Sequence, residues 1–379
     1  MILLWEDDCL LTGPKEKVLK AKTKFMRLFD CKDIGEMKEY VGCVIERGKG
    51  WMKMTQPTQL RKFEDEFDLQ THRGNPETPA EPHSVLNEGD QGEPLGDAQQ
   101  SDYRKGTGIL LHMMRWSRPE VLNAVRELSR HLKDGTKKHY KQMIRVMKYC
   151  VGKARRGYYM QPDREWDGRS RMKIRIKGKS DSEYMKDPSR HSVNGWACYL
   201  EGCAVSMASK MMPVIALSVT EAELYAGIQC VQDMLFTWRV LLSIGIEVEL
   251  PMILEVDNKG AVDICHSWTV GGRTRHIEVK MYFLRELREM GIVKVVWRCG
   301  DDMTADLFTK NLPGPLFEKH TSEYVGKDEY YKHRKRIKGR VPSVSKEVRD
   351  EATISKNETN LSGIDSEYYR VWNSIIESE

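Results

Sequence analysis

The chain has 379 residues, a formal net charge of +5 and 40% hydrophobic residues, which is material for two or three folded domains. No apolar run approaches the ~20 residues of a membrane span. The apolar start at residues 1–5 runs at once into Glu6, Asp7 and Asp8, which argues against a secretory signal. Nine cysteines without a C-x-x-C pair argue against a zinc site or disulfide framework. They fit free thiols in a reducing, cytoplasmic or nuclear, compartment.

Ile2, Leu3 and Leu4 predict a short strand ending at an acidic turn. Pro14 then opens a helix with Val18, Ala21, Phe25 and Leu28 on one face. Residues 40–45 and 51–54 read as strands around the turn Arg47-Gly48-Lys49-Gly50. Residues 73–101, rich in Gly, Pro and acids, predict a linker or long exposed loop. Residues 102–151 predict three helices, with Pro119 opening the second and Gly135 preceding the third, and 160–170 form another polar break. Residues 171–316 follow a different order. Strands at 172–179, 193–200 and 204–207 precede a long helix at 219–242. Then come a strand at 252–256, helices at 259–265 and 277–290, a strand at 292–297 and a last helix ended by Pro313. That order predicts an α/β domain with a mixed five-stranded sheet and helices on both faces. From about 326 onward the chain is charged and poor in large apolar residues, which predicts a disordered tail. Its basic run at 332–340 suits a solvated tail, a nucleic-acid contact or a nuclear import signal.

Four acids are the candidate chemistry. Asp181 ends the first strand of the last domain and Asp257 ends the fourth, where open α/β sheets place their sites. Glu223 sits in the first turns of the long helix, and Asp306 inside the last one. Ser218-Val219-Thr220-Glu221 matches a capping box, which gives Glu221 a structural task. Glu223 borders the apolar stripe Leu224, Ile228, Val231, Leu235 and Trp238, and so can point at the sheet edge. Gathered together, such acids repel by about 4 kcal/mol per pair at 4 Å in an effective dielectric near 20. No Lys or Arg in these motifs is an evident neutraliser, so divalent cations are expected. Hard oxygen donors select Mg²⁺ or Mn²⁺. Spacing alone does not separate this from ordinary surface acids and helix caps.

Five motifs in order add a resemblance. Ser180-Asp181-Ser182-Glu183, the run from Leu217 to Leu224, Val256-Asp257-Asn258, Thr274-Arg275-His276-Ile277-Glu278 and the run from Ala305 to Lys310 resemble the ribonuclease H motifs of copia-type retrotransposon Pol polyproteins. Trp5-Glu6-Asp7-Asp8 occupies the place of that family's polymerase hairpin. Lys32 to Gly42, Tyr103 to Gly108 and Ser117 to Glu120 are similar to its later reverse transcriptase segments.

The resemblance implies a partial reverse transcriptase palm at 1–72, a linker at 73–101 and a helical thumb- or connection-like region at 102–165. A ribonuclease H-like domain at 171–316 and a charged tail at 326–379 would follow. It further implies that Asp181, Glu223, Asp257 and Asp306 bind two Mg²⁺ ions, with Mn²⁺ an alternative, and cut the RNA strand of RNA–DNA hybrids. Asp7 and Asp8 would be a polymerase remnant that synthesises no DNA alone, since another palm aspartate and the fingers fall before Met1. Partners would be the hybrid and upstream Pol segments (missing palm and fingers, integrase), with no membrane. Lys177, Lys179, Lys210, Arg273 and Arg275 are candidate phosphate contacts, and His276 suits a structural role at a helix start. Departures such as Tyr184 for the usual Trp, with Cys203 and Met207 for Gly and Trp, suit the alternative of a decayed, non-catalytic nucleic-acid-binding remnant.

Overall fold

A computed structural model describes residues 2–5, 8–67, 69, 74–86, 92–165, 171–266 and 278–326. The chain opens on an antiparallel hairpin of β1 (Ile2–Trp5) and β2 (Asp8–Leu11), followed by α1 (Lys15–Leu28). Next come β3 (Glu39–Tyr40), β4 (Cys43–Gly48), β5 (Trp51–Thr55) and α2 (Pro57–Glu66). The expected strand at 40–45 is split because Val41 and Gly42 take positive φ, which turns the chain between β3 and β4.

Helices α3 (Asp97–Trp116), α4 (Leu122–Ser129) and α5 (Lys137–Gly152) are the predicted three. Pro119 starts a 3₁₀ turn that leads into α4. β6 (Gly157–Met160) then pairs with β5, and β12 (Val325–Gly326) pairs with β6. The second sheet therefore runs β12-β6-β5-β4-β3 and joins the last described strand to strands of residues 39–55, while β1 and β2 form a separate hairpin.

The described parts of the segment expected as a linker, 74–86 and 92–101, are packed. Ala80 and Leu86 are buried, the His83 amide donates to the Asn311 carbonyl at 2.8 Å, and Pro94 bridges to Thr136. Polar composition misled here because the loop satisfies its backbone on other elements, Asn311 above all, instead of on water.

The last third holds β7 (Ile174–Glu183), β8 (Val193–Leu200), β9 (Cys203–Met211), α6 (Val219–Ser243) and β10 (Val248–Val256). It continues with α7 (Lys259–His266), α8 (Glu278–Glu289), β11 (Val293–Trp297) and α9 (Gly314–Thr321). Its sheet has the order β11-β10-β7-β8-β9. β10 is parallel to both β7 and β11, while β7, β8 and β9 are antiparallel. The protein is thus α/β with a five-stranded mixed sheet. Buried Met252, Leu254 and Val256 alternate along β10, as a strand between two neighbours requires. α6 lies close on β7 because Gly178 has no side chain; a Cβ there would stand 2.5 Å from Cys230 Sγ.

The opposite sheet face meets the helices of the middle region. Phe63, Leu110, Val125 and Met147 share one apolar cluster with Tyr199 and Phe308. Among the described residues, no helix is long and apolar enough to cross a membrane.

Candidate metal centre

Asp181 lies near the carboxyl end of β7, and Asp257 directly follows β10, its parallel neighbour. Two adjacent parallel strands thereby aim both acids into one crevice. Glu223 comes from the first turns of α6. Ser218 caps this helix, its Oγ accepting from the Glu221 amide at 3.1 Å. Glu221 does the structural work foreseen for it, with one change. Its Oε2 accepts from the amide of Leu217, one residue before the cap, at 2.7 Å. That leaves Glu223 to reach the sheet, where its Oε1 accepts from the Ser182 amide at 3.2 Å. One carboxylate oxygen each from Asp181, Glu223 and Asp257 lies within 4.8 Å of the others.

Asp306 arrives differently from the expectation. Thr304–Phe308 is a 3₁₀ turn and not part of a longer helix. It rests on the sheet over Gly195, the residue opposite Asp181 in β8. A Cβ on Gly195 would stand 2.7 Å from Thr309 Cγ2, 2.8 Å from Phe308 Cβ and 3.1 Å from the Ala305 carbonyl oxygen. The bare backbone of Gly195 is what lets the turn come down.

The expectation that no basic residue neutralises the acids is corrected by Lys310. Its Nζ donates to Asp306 Oδ1 at 3.0 Å and to Asp181 Oδ1 at 3.1 Å. Thr309 Oγ1 donates to the other Asp181 oxygen, Oδ2. The i,i+4 spacing of Asp306 and Lys310 was the available signal for this pair.

The electrostatics follow from crowding in a largely buried crevice. Burial first, then the charges of Asp181 and Asp257, pushes the Glu223 carboxyl well above its ordinary range. Burial and the Asp181 charge raise Asp257 in the same direction. Burial and Asp181 push Asp306 up to about 8, against the opposing pull of Lys310. Burial would depress Lys310, but Asp181 and Asp306 outweigh it and hold the ammonium charged above its usual range.

Other sequence candidates fare unevenly. Lys179 is corrected as a phosphate contact. It is 6% exposed, and its Nζ donates to Glu323 Oε1 at 2.7 Å and to Thr304 Oγ1 at 2.9 Å. Lys177 is paired with Glu255, Nζ to Oε1 at 2.5 Å. Lys179 is buried, whereas the Lys177 side chain is 35% exposed; both spend their charge on acids of the protein itself. Lys210 is exposed, with its Nζ 5.2 Å from the Trp196 ring centroid. Asp8 lies in the backbone of β2. Asp7, Arg273, Arg275, His276 and the tail from 327 lie outside the described residues.

Fold and site together define an α/β protein with an acidic crevice at the carboxyl ends of two parallel strands. By sequence, the chain is a homologue of copia-type Pol polyproteins of plant transposons. It is 28% identical over 326 residues to the retrovirus-related Pol polyprotein from transposon TNT 1-94 of Nicotiana tabacum, covering 84% of this chain and 24% of that polyprotein. It is 25% identical over 326 residues to the Pol polyprotein from transposon RE1 of Arabidopsis thaliana, covering 85% of this chain and 21% of that one. The chain thus spans about a quarter or less of these relatives' length. No family model matches the chain. Among solved structures, the N-terminal RNase H domain of a Mycobacterium tuberculosis protein, fused to maltose binding protein, aligns at 12% identity with a TM-score of 0.27. That alignment covers 39% of this chain and 96% of the other.

Proposed function

We propose that the crevice belongs to a ribonuclease H-like nuclease of a transposon Pol protein, one that hydrolyses the RNA strand of an RNA–DNA hybrid with the help of Mg²⁺ or Mn²⁺. The observation that carries this reading is the convergence of Asp181, Glu223 and Asp257 to within 4.8 Å. Acids this close repel one another, and the repulsion is relieved by a cation between them or by a proton held on one of them; a cation is the relief that leaves all three oxygens available as ligands. Glu223 Oε2 is buried with no hydrogen-bond partner among the described residues, as an oxygen reserved for a ligand would be. The donor set is all oxygen, which suits hard divalent cations and not zinc.

In this reading Asp181, Glu223 and Asp257 hold the cation, and Asp306 is the fourth acid of the centre. When bound, a divalent cation supplies charge stabilisation at the scissile phosphate and lowers the pKa of attacking water. The protein's own contribution is orientation. Thr309 and Lys310 fix the Asp181 carboxylate, the Ser182 amide fixes Glu223, and the strand ends fix Asp257. Lys210, exposed beside Trp196, suits a phosphate contact, which positions a duplex without reading its sequence. Upstream Pol segments as partners and a cytoplasmic or nuclear setting belong to the same reading.

The test is cleavage of a labelled RNA–DNA hybrid in Mg²⁺ by the wild type and by Asp257→Asn. The wild type is expected to cut, and the variant to lose at least about 100-fold in rate, the scale of removing one preorganised charge from a dry site. Equal cleavage by the two proteins would remove the crevice from the reaction. Salt-dependent hybrid binding by both without cleavage would favour the non-catalytic remnant.

A further inference from the structure

The acids of the crevice are not equivalent. Asp181 and Asp306 have an ammonium between them, with Lys310 Nζ at 3.1 and 3.0 Å from their Oδ1 atoms. On the other side, no ion pair reaches Glu223 or Asp257 among the described residues, and Glu223 Oε2 is buried and unpartnered. The Lys310 side chain is 29% exposed, against 1% for that of Asp181 and 11% for that of Asp306. It therefore enters from the solvent side on a flexible four-carbon stem, and can leave by the same route without disturbing the turn.

Resting on the reading that the crevice takes divalent cations, we propose that Lys310 is the crevice's resident cation. Its ammonium occupies the gap between Asp181 and Asp306 that a second divalent ion would need. The free protein then takes a single ion on the Glu223 and Asp257 side, and a second enters only when Lys310 withdraws. Two features favour this over a plain surface ion pair. The ammonium contacts two acids from different elements, one on β7 and one on the 3₁₀ turn, so it sits in the crevice and not beside it. It is also tethered, so it returns to the gap at a high effective concentration whenever the gap is empty.

The full chain can be tested by calorimetric titration with Mn²⁺, together with thermal melts in EDTA and in Mn²⁺. The wild type is expected to bind one ion, and Lys310→Met to bind two. In EDTA the melting temperature of Lys310→Met should fall below that of the wild type, and saturating Mn²⁺ should close the gap. Lys310→Arg, which keeps the charge, should bind one ion like the wild type. Asp306→Asn combined with Lys310→Met removes acid and base together, and should melt in EDTA close to the wild type. A Lys310→Met protein that binds one ion at wild-type affinity, or that stays unfolded in saturating Mn²⁺, overturns the role of Lys310 while leaving the metal centre standing. Two ions on the wild type do the same. No Mn²⁺ binding by any of these folded proteins overturns the metal centre itself, and the role of Lys310 with it.

Discussion

Single residues of the crevice hold protons that an unfolded chain would have released. Burial and the neighbouring Asp181 charge raise Asp306 from an ordinary 3.8 to about 8, and Glu223 and Asp257 move the same way. A raised carboxyl binds more protons folded than unfolded, so its contribution to stability is present at low pH and is lost as pH climbs through the folded value. His320 works in the opposite sense. Burial lowers it from 6.5 to about 4, so it costs stability as pH drops below 6.5. The two effects separate as pH rises above 6.5, where His320 is neutral in the folded protein and increasingly neutral in the unfolded chain. Melting temperature in EDTA is therefore expected to fall between pH 6.5 and about 8. Asp306→Asn should flatten that fall, and millimolar Mg²⁺ should abolish it. A melting temperature that holds level or rises over this interval without metal would contradict the crowding of the four acids.

Elements decide whether those residues meet, and the narrowest approach is that of the 3₁₀ turn Thr304–Phe308 onto β8. Gly195→Ala places a methyl 2.7 to 3.1 Å from Thr309, Phe308 and the Ala305 carbonyl, and a backbone carbonyl cannot rotate out of the way. Overpacking of this kind costs about 1–3 kcal/mol. Here it also lifts Asp306, Thr309 and Lys310 away from Asp181. The variant is expected to melt lower and to lose Mn²⁺ affinity, whereas Gly245→Ala, at a positive φ far from the crevice, should lose stability alone. Unchanged Mn²⁺ affinity in Gly195→Ala would show that the turn does not set the site. Legibility in the sequence followed the same division. α6 and the five strands of the acid-bearing sheet were readable because they are apolar runs of helix or strand length set between polar breaks, and Ser218 caps the start of α6. Convergence of Asp181, Glu223 and Asp257 was legible through the five ordered motifs; strand ends and a capped helix start made it possible but did not by themselves separate these acids from ordinary surface acids. Lys310 escaped because its motif points to the acid and not to the base four residues on. The 3₁₀ geometry around Asp306 escaped because five residues carry no period. β12 escaped because a two-residue strand exists only through its partner β6.

The whole molecule ties the acid-bearing sheet to everything before it, and this limits what can be cut away. Tyr199 of β8, Phe308 of the turn and Phe317 of α9 lie in the same apolar cluster as Leu110, Val125 and Met147 from α3, α4 and α5. Near the end of the described chain, Glu323 accepts from Lys179 of β7, Tyr324 shares a 2.7 Å hydrogen bond with Tyr199, and Val325 pairs with Tyr158 of β6. Burial would raise Glu323, yet Lys179 overrides it and holds the carboxyl at about 2, so this joint stays charged across the working pH range. A fragment spanning 171–326 keeps every acid of the crevice but uncovers one face of that cluster and leaves β12 without a partner. Each large apolar side chain returned to water costs about 1.5–3 kcal/mol, and a domain of 150–250 residues loses roughly 2–4 °C per kcal/mol. The fragment should therefore melt about 10 °C or more below the full chain and bind a hydrophobic dye that the full chain does not. If it instead melts cooperatively at the full-chain temperature and leaves the dye free, the acid-bearing sheet supplies a complete core of its own. The middle helices would then be attached to it without supporting it.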